Sequence, residues 1–167
     1  MPPVPDLAIE TLHDAYAAGA DPAETIDRVH DAITAAADPG IFITLVDRER
    51  ARQAAKALGR FDPAKPLFGV PFAVKDNIDV EGLPTTAACP DYAYSPAASA
   101  PAVGRLLAAG ALLVGKTNLD QFATGLVGTR TPYGACSSVF SEAHISGGSS
   151  SGSAIAVAAG LVSFALG

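Results

Sequence analysis

The stretch Ile145–Gly160 reads ISGGSSSGSAIAVAAG. Two glycines precede three consecutive serines, and a run of small apolar residues follows. A Gly/Ser run of this kind is commonly a flexible linker. A linker leads to a polar tail or a new domain, whereas Ala154–Gly167 reads AIAVAAGLVSFALG and is almost wholly apolar. The serines therefore read as a glycine turn that opens a buried helix. Backbone N–H groups at a helix start point outward and favour negative charge. Hydroxyls held at such a place are candidates for chemistry.

Around this turn the pattern predicts a helix over 152–160 and a strand that begins at Leu161. Upstream, 126–146 reads as loop, 118–123 as a helical turn, Ala111–Val114 as a short buried strand and Ala102–Ala109 as a helix. Residues 76–98 are irregular, with turn signals at Glu81-Gly82 and Leu83-Pro84. Phe68–Val74 reads as a glycine- and proline-punctuated approach to a buried strand that ends in Lys75. Nearer the N-terminus three helices are expected. The first covers 6–18. The second opens at Asp21-Pro22-Ala23-Glu24, an N-cap, a first-turn proline and a capping-box acid, and it aligns Ile26, Val29 and Ile33 on one face. The third runs over 47–58 with Gly59 as its stop. Helix and strand alternate, so an α/β layered sheet is expected. Residues 1–60 read as an N-terminal helical region and 61–167 as the first part of the main domain.

Composition narrows the function. The chain has 167 residues, of which 49% are hydrophobic and 17% charged, so it can bury a core. Its net charge of −6 argues against nucleic-acid binding, which wants a basic face. Cys89 and Cys136 are far apart and form neither a disulfide framework nor a zinc spacing. The N-terminus MPPVPDLAIE lacks a leader pattern, and the apolar run from Ala154 is too short for a membrane span. These features read as a cytoplasmic protein with two free thiols and no membrane partner. The chain ends at Gly167 inside an apolar run, where natural domains seldom stop. A piece of a longer protein is expected.

Two motifs match by letter and fail by context. Gly110–Thr117 fits G-x-x-x-x-G-K-[ST], but its middle positions ALLV read as strand, and a strand commits its N–H groups to sheet neighbours instead of phosphate. Gly148–Gly152 fits the nucleophile elbow G-x-S-x-G, but that elbow needs a strand leading in and a histidine later in the chain. His13, His30 and His144 all come earlier, and His13 and His30 read as surface residues of polar helices.

Lys75 remains, the one charge closing the apolar run GVPFAV. Two readings stand. It forms an ion pair with Asp76 or Asp79 while its stem packs on apolar surface, or burial lowers its pKa and makes it a usable base. Beside the serines the second gains weight. A serine hydroxyl needs a base to accept its proton, and lysine replaces histidine in the Ser-Lys variant of the triad.

At this point a family resemblance is plain. GVPFAVKDNIDVEGLPTTAACP, GALLVGKTNLDQFATGLVGTRTPYG and ISGGSSSGSAIAVAAGLVSFALG, in that order from Gly69 to Gly167, resemble the amidase signature family. Within it, DQFATGLVGTRTPYG and ISGGSSSGSA most resemble the allophanate hydrolases of urea degradation. The resemblance implies a mixed central sheet flanked by helices, incomplete in this chain, and no metal or organic cofactor. It implies that Lys75 is the general base and that Ser149 is the relay serine, preceded by a cis Gly148–Ser149 bond. Ser150 would support that network by hydrogen bonding. The backbone of Ala123, Thr124 and Gly125 would line the pocket for a small-molecule amide, allophanate. The family's acyl-forming serine and its oxyanion hole lie in a later loop, so these residues carry base and relay without the nucleophile and would be inactive alone. The family often forms dimers, so a homodimer is one option for the full-length form, whose oligomeric state is not readable from the sequence. Alternatives are another amidase, the amidotransferase subunit that supplies ammonia to mischarged transfer RNA, and a truncated amidase-like module without catalysis. The acidic charge weighs mildly against the amidotransferase.

Overall fold

The computed structural model describes residues 6–141 and 143–167. Residues 1–5, part of the stretch read for a leader, and residue 142, within the stretch read as loop, lie outside it. Among the described residues nine regular elements follow one another: α1 (Ile9–Ala17), α2 (Pro22–Ala36), β1 (Phe42–Leu45), α3 (Arg48–Ala57), β2 (Pro71–Lys75), α4 (Pro101–Ala108), β3 (Leu112–Thr117), α5 (Ser151–Ala158) and β4 (Phe164–Leu166). Short 3-10 turns cover Pro90–Tyr92 and Gln121–Ala123.

Local chemistry accounts for several boundaries. The Asp21 carboxylate accepts the Ala23 N–H at 2.8 Å, and Pro22 occupies the first helical position of α2. Asp47 caps α3 in the same way through the Arg50 N–H at 3.0 Å. Gly59 and Gly110 turn the chain with positive φ just after α3 and α4.

The four strands form one mixed sheet in the order β1-β3-β2-β4. β2 runs parallel to both β3 and β4, and β1 pairs antiparallel with β3. The expected α/β architecture is therefore present. β3 extends through Thr117, three residues past the expected end, and β4 starts at Phe164 instead of Leu161. β1 is not among the expected strands, although the run Ile41–Val46, IFITLV, lies between Pro39-Gly40 and Asp47 as a strand signal; it is a four-residue edge strand whose partner lies some seventy positions away. Within Gly110–Thr117 the residues Leu112–Thr117 are strand, as the apolar middle implies, and the segment is not a phosphate loop.

Two apolar clusters flank the sheet. One joins Leu12 and Tyr16 of α1 and Val29 of α2 to Phe68, Ala73, Val114 and Ile155. The other joins Ile26 of α2 and Ala51 and Ala55 of α3 to Phe72, Val74, Val103 and Leu112. β2 contributes to both because all five of its residues are buried, which is why it reads as a continuous apolar run. His30 corrects the reading as a surface histidine: it is only 8% exposed. It lies four positions after Ile26 and is buried on α2 with Ile26 and Val29. His13 is half-buried and packs its ring on Phe61, with centroids 5.5 Å apart.

Candidate active site

The sheet delivers Lys75 to the start of α5. Lys75 is the last residue of β2 and pairs in register with Thr117, the last residue of β3. The serine turn lies beyond these two strand ends. Lys75 Nζ donates to Ser149 Oγ at 2.9 Å and to Ser150 Oγ at 2.8 Å. A lysine and two serines named from the sequence, separated by more than seventy positions, thus meet at one nitrogen.

The ion-pair reading of Lys75 is corrected by where the carboxylates go. Asp76 turns the other way, pairs with Lys116 Nζ at 3.2 Å and accepts from the N–H and hydroxyl of Thr86. Asp79 accepts from the hydroxyls of Thr85 and Tyr94. Burial pushes Lys75 below the ordinary lysine value of 10.5, while the Asp120 carboxylate opposes that shift. Lys75 is 5% exposed.

The serine turn is built for hydroxyl presentation. The Gly148–Ser149 peptide bond is cis, as the resemblance implies. Ser150 is the N-cap of α5, yet its side chain makes no capping bond. That hydroxyl meets Lys75 instead. The next serine, Ser151, is fully buried, and Ser153 is bound to Thr117 Oγ1 at 2.6 Å and to Leu166 O at 2.9 Å. The consecutive serines therefore do different work. Ser149 and Ser150 face the lysine, while Ser151 and Ser153 lie inside the fold.

Ala123, Thr124 and Gly125 form the adjoining loop. Ala123 has φ 58 and Phe122 φ 53, both left-handed. Thr124 O accepts from Arg130 Nη1 at 2.9 Å. Asp120 gathers this loop: its carboxylate accepts the N–H groups of Val127, Gly128 and Arg130 at 3.2, 2.9 and 2.9 Å. Burial pushes the Asp120 carboxyl up, but these backbone bonds outweigh it and hold the group below its usual value. Loop and serine turn are joined by Asp120 N–H to Ser149 O at 2.9 Å and Gly148 N–H to Leu126 O at 3.0 Å.

Sequence reasoning missed Asn118, Asp120 and the Lys116–Asp76 pair. Asn118 Nδ2 donates to Gly40 O and Gly134 O, and its Oδ1 accepts from Leu119 N–H and Thr131 Oγ1. These residues carry no periodic signal. The one hint is a polar run, KTN-L-D, that closes the otherwise apolar strand β3. Cys136 is buried and bonds to Gly40 O, and burial pushes its thiol up to about 11, so it stays protonated at neutral pH. Among the described residues no group of three His, Cys, Asp or Glu side chains is placed to hold a metal ion. No helix among them is long and apolar enough to cross a membrane.

The family model described as Amidase matches residues 24–167, and the chain belongs to that family. It is 67% identical over 102 residues to the urea amidolyase of Saccharomyces cerevisiae, a match covering 61% of this chain and 6% of that protein. It is 44% identical over 129 residues to a glutamyl-tRNA(Gln) amidotransferase subunit of Streptococcus pneumoniae, covering 75% of this chain and 26% of that one. The solved allophanate hydrolase of Kluyveromyces lactis superposes with a TM-score of 0.79 at 42% identity, over 93% of this chain and 26% of that one. The chain thus spans about a quarter or less of the length of these three relatives.

Proposed function

We propose that this chain is the base-and-relay part of an amidase that hydrolyses allophanate to ammonia and carbon dioxide. The observation that carries the reading is a buried lysine with two serine hydroxyls at 2.9 and 2.8 Å from its amine. A lysine whose amine is destabilised as a cation can accept a proton near neutral pH. In the proposed cycle an acyl-forming serine outside these 167 residues attacks the amide carbonyl. Its proton passes to Ser149 Oγ as the Ser149 proton passes to Lys75 Nζ. The same path in reverse protonates the leaving amine, and water then cleaves the acyl-enzyme. Ser150 steadies Lys75 by the second hydrogen bond. The backbone of Ala123–Gly125 lines the amide pocket.

The choice of allophanate is supported by the identity to urea amidolyase and to allophanate hydrolase. The test uses the full-length protein that carries this segment. Lys75→Ala and Ser149→Ala each abolish ammonia release from allophanate while circular dichroism stays unchanged. Near-normal release from either variant sinks the relay. Turnover of glutamine with none of allophanate keeps the chemistry and overturns the substrate. The 167 residues alone release no ammonia.

A further inference from the structure

Asp120 is fully buried and sits where three parts of the site meet. Its backbone N–H holds the carbonyl of Ser149 at 2.9 Å. Its backbone carbonyl accepts the Ala123 N–H at 2.8 Å, which fixes the first residue of the pocket loop. Its carboxylate binds three N–H groups of the returning segment 127–130. Both flanking glycines exist to let it in. A Cβ at Gly148 would come within 2.5 Å of Asp120 Oδ2, and a Cβ at Gly125 would overlap the same carboxyl group. A carboxylate this enclosed, with its acceptor sites filled by backbone donors, is stable as an anion.

Among the described residues the charges around Lys75 are few. Asp76 is committed to Lys116 and Thr86, and Asp79 to Thr85 and Tyr94. The serine turn offers only the hydroxyls of Ser149 and Ser150. Arg130 is exposed and directs its guanidinium to Thr124 O. Ser149 joins the two groups, its hydroxyl meeting Lys75 Nζ at 2.9 Å and its carbonyl meeting the Asp120 N–H at 2.9 Å, and among the described residues Asp120 is the carboxylate that opposes the effect of burial on Lys75.

We propose that Asp120 is a positioning residue that locks the Ser149 relay and the 123–125 backbone into one unit. It touches neither substrate nor the reacting atoms. It acts through Ser149 and through the pocket loop. This rests on the Lys75–Ser149 relay proposed above for turnover, but the effect of Asp120 on Lys75 is measurable without substrate.

Two variants of the full-length protein separate the roles. Asp120→Asn removes the charge and mismatches one backbone donor. Its kcat falls about 100-fold, the loss expected of a reacting group displaced by an ångström. The acid limb of its kcat/KM profile moves to lower pH, because the protonated lysine loses the carboxylate that opposes its burial. Asp120→Glu keeps the charge on a longer stem, so kcat falls as far while the acid limb stays in place. Competitive acetylation of Lys75 with acetic anhydride across pH, read by mass spectrometry, must show the same contrast without any turnover.

An unmoved Lys75 titration in Asp120→Asn overturns the link from Asp120 to the lysine. Full kcat in Asp120→Glu overturns the positioning, and this variant carries the test if Asp120→Asn does not fold. If Lys75→Ala itself turns over normally, the relay is wrong, yet the acetylation profile still judges Asp120.

Discussion

Lys116 is the lysine of the apparent phosphate loop, and the structure gives it a different task. Its side chain is completely buried, with Nζ 3.2 Å from Asp76 Oδ1, 3.1 Å from Pro84 O and 3.3 Å from Thr85 Oγ1. Burial lowers its pKa and Asp76 opposes the shift. Neither ion is comfortable without the other. Lys116→Met fills the volume but strands the fully buried Asp76 carboxylate and removes the donor to Pro84 O. Breaking one side of a buried pair costs about 3–5 kcal/mol. Of that, about 1–3 kcal/mol is the cost of leaving a buried acceptor unpaired. Set against a total stability of roughly 5–15 kcal/mol, the variant is severely weakened.

Asp76→Asn should be similarly harmful, because Lys116 then loses its counter-charge. In the double variant no orphaned ion remains, so the loss is smaller than the sum of the two by about 1–3 kcal/mol. Urea unfolding of the four proteins, followed by circular dichroism, measures this cycle. A Lys116→Met protein within about 0.5 kcal/mol of the parent, or strictly additive single losses, would refute the buried-pair argument.

Gly152 in the first turn of α5 has no room for a side chain: a Cβ there would sit 2.6 Å from Asn118 N and against Ile41 O. Gly152→Ala therefore lowers stability by about 1–2 kcal/mol, because overpacking outweighs the roughly 1 kcal/mol gained in helix propensity; a rise in Tm would contradict the close approach. His30 has a pKa below its ordinary 6.5, chiefly through burial and then through Arg48, with Asp47 and Asp31 opposing. The unfolded chain thus binds the proton more readily. The His30 contribution is intact above pH 6.5 and is lost as pH falls toward the folded value. Unfolding curves from about pH 8 to pH 5 should show this decline in the parent and a weaker one in His30→Gln. Equal slopes would remove His30 as the cause.

Much of the local structure was legible because it is written in neighbouring residues. Asp21 and Pro22 announce α2, Gly59 closes the turn after α3, and the continuous apolar run before Lys75 marks a strand buried on both faces. The serine turn opening an apolar helix was legible for the same reason. The ALLV run also told strand from phosphate loop, since a motif works only on the right backbone. That Lys75 and Ser149 belong together came from the family resemblance, because spacing along the chain says nothing about contact between residues 74 positions apart.

Tertiary structure decided the rest. The β1-β3-β2-β4 order sets the ends of β2 and β3 side by side, and that register turns Lys75 toward the serines while Asp76 points to Lys116. His30 looked like a surface residue in a polar helix until packing put its face inward. Asp120 and Asn118 are ordinary polar residues in sequence, and they matter because folded backbone surrounds them. Caps and periodicity depend on residues a few positions apart, so the order of residues along the chain settles them. Strand pairing and buried charge partners depend on which distant segments meet, so only the fold settles those.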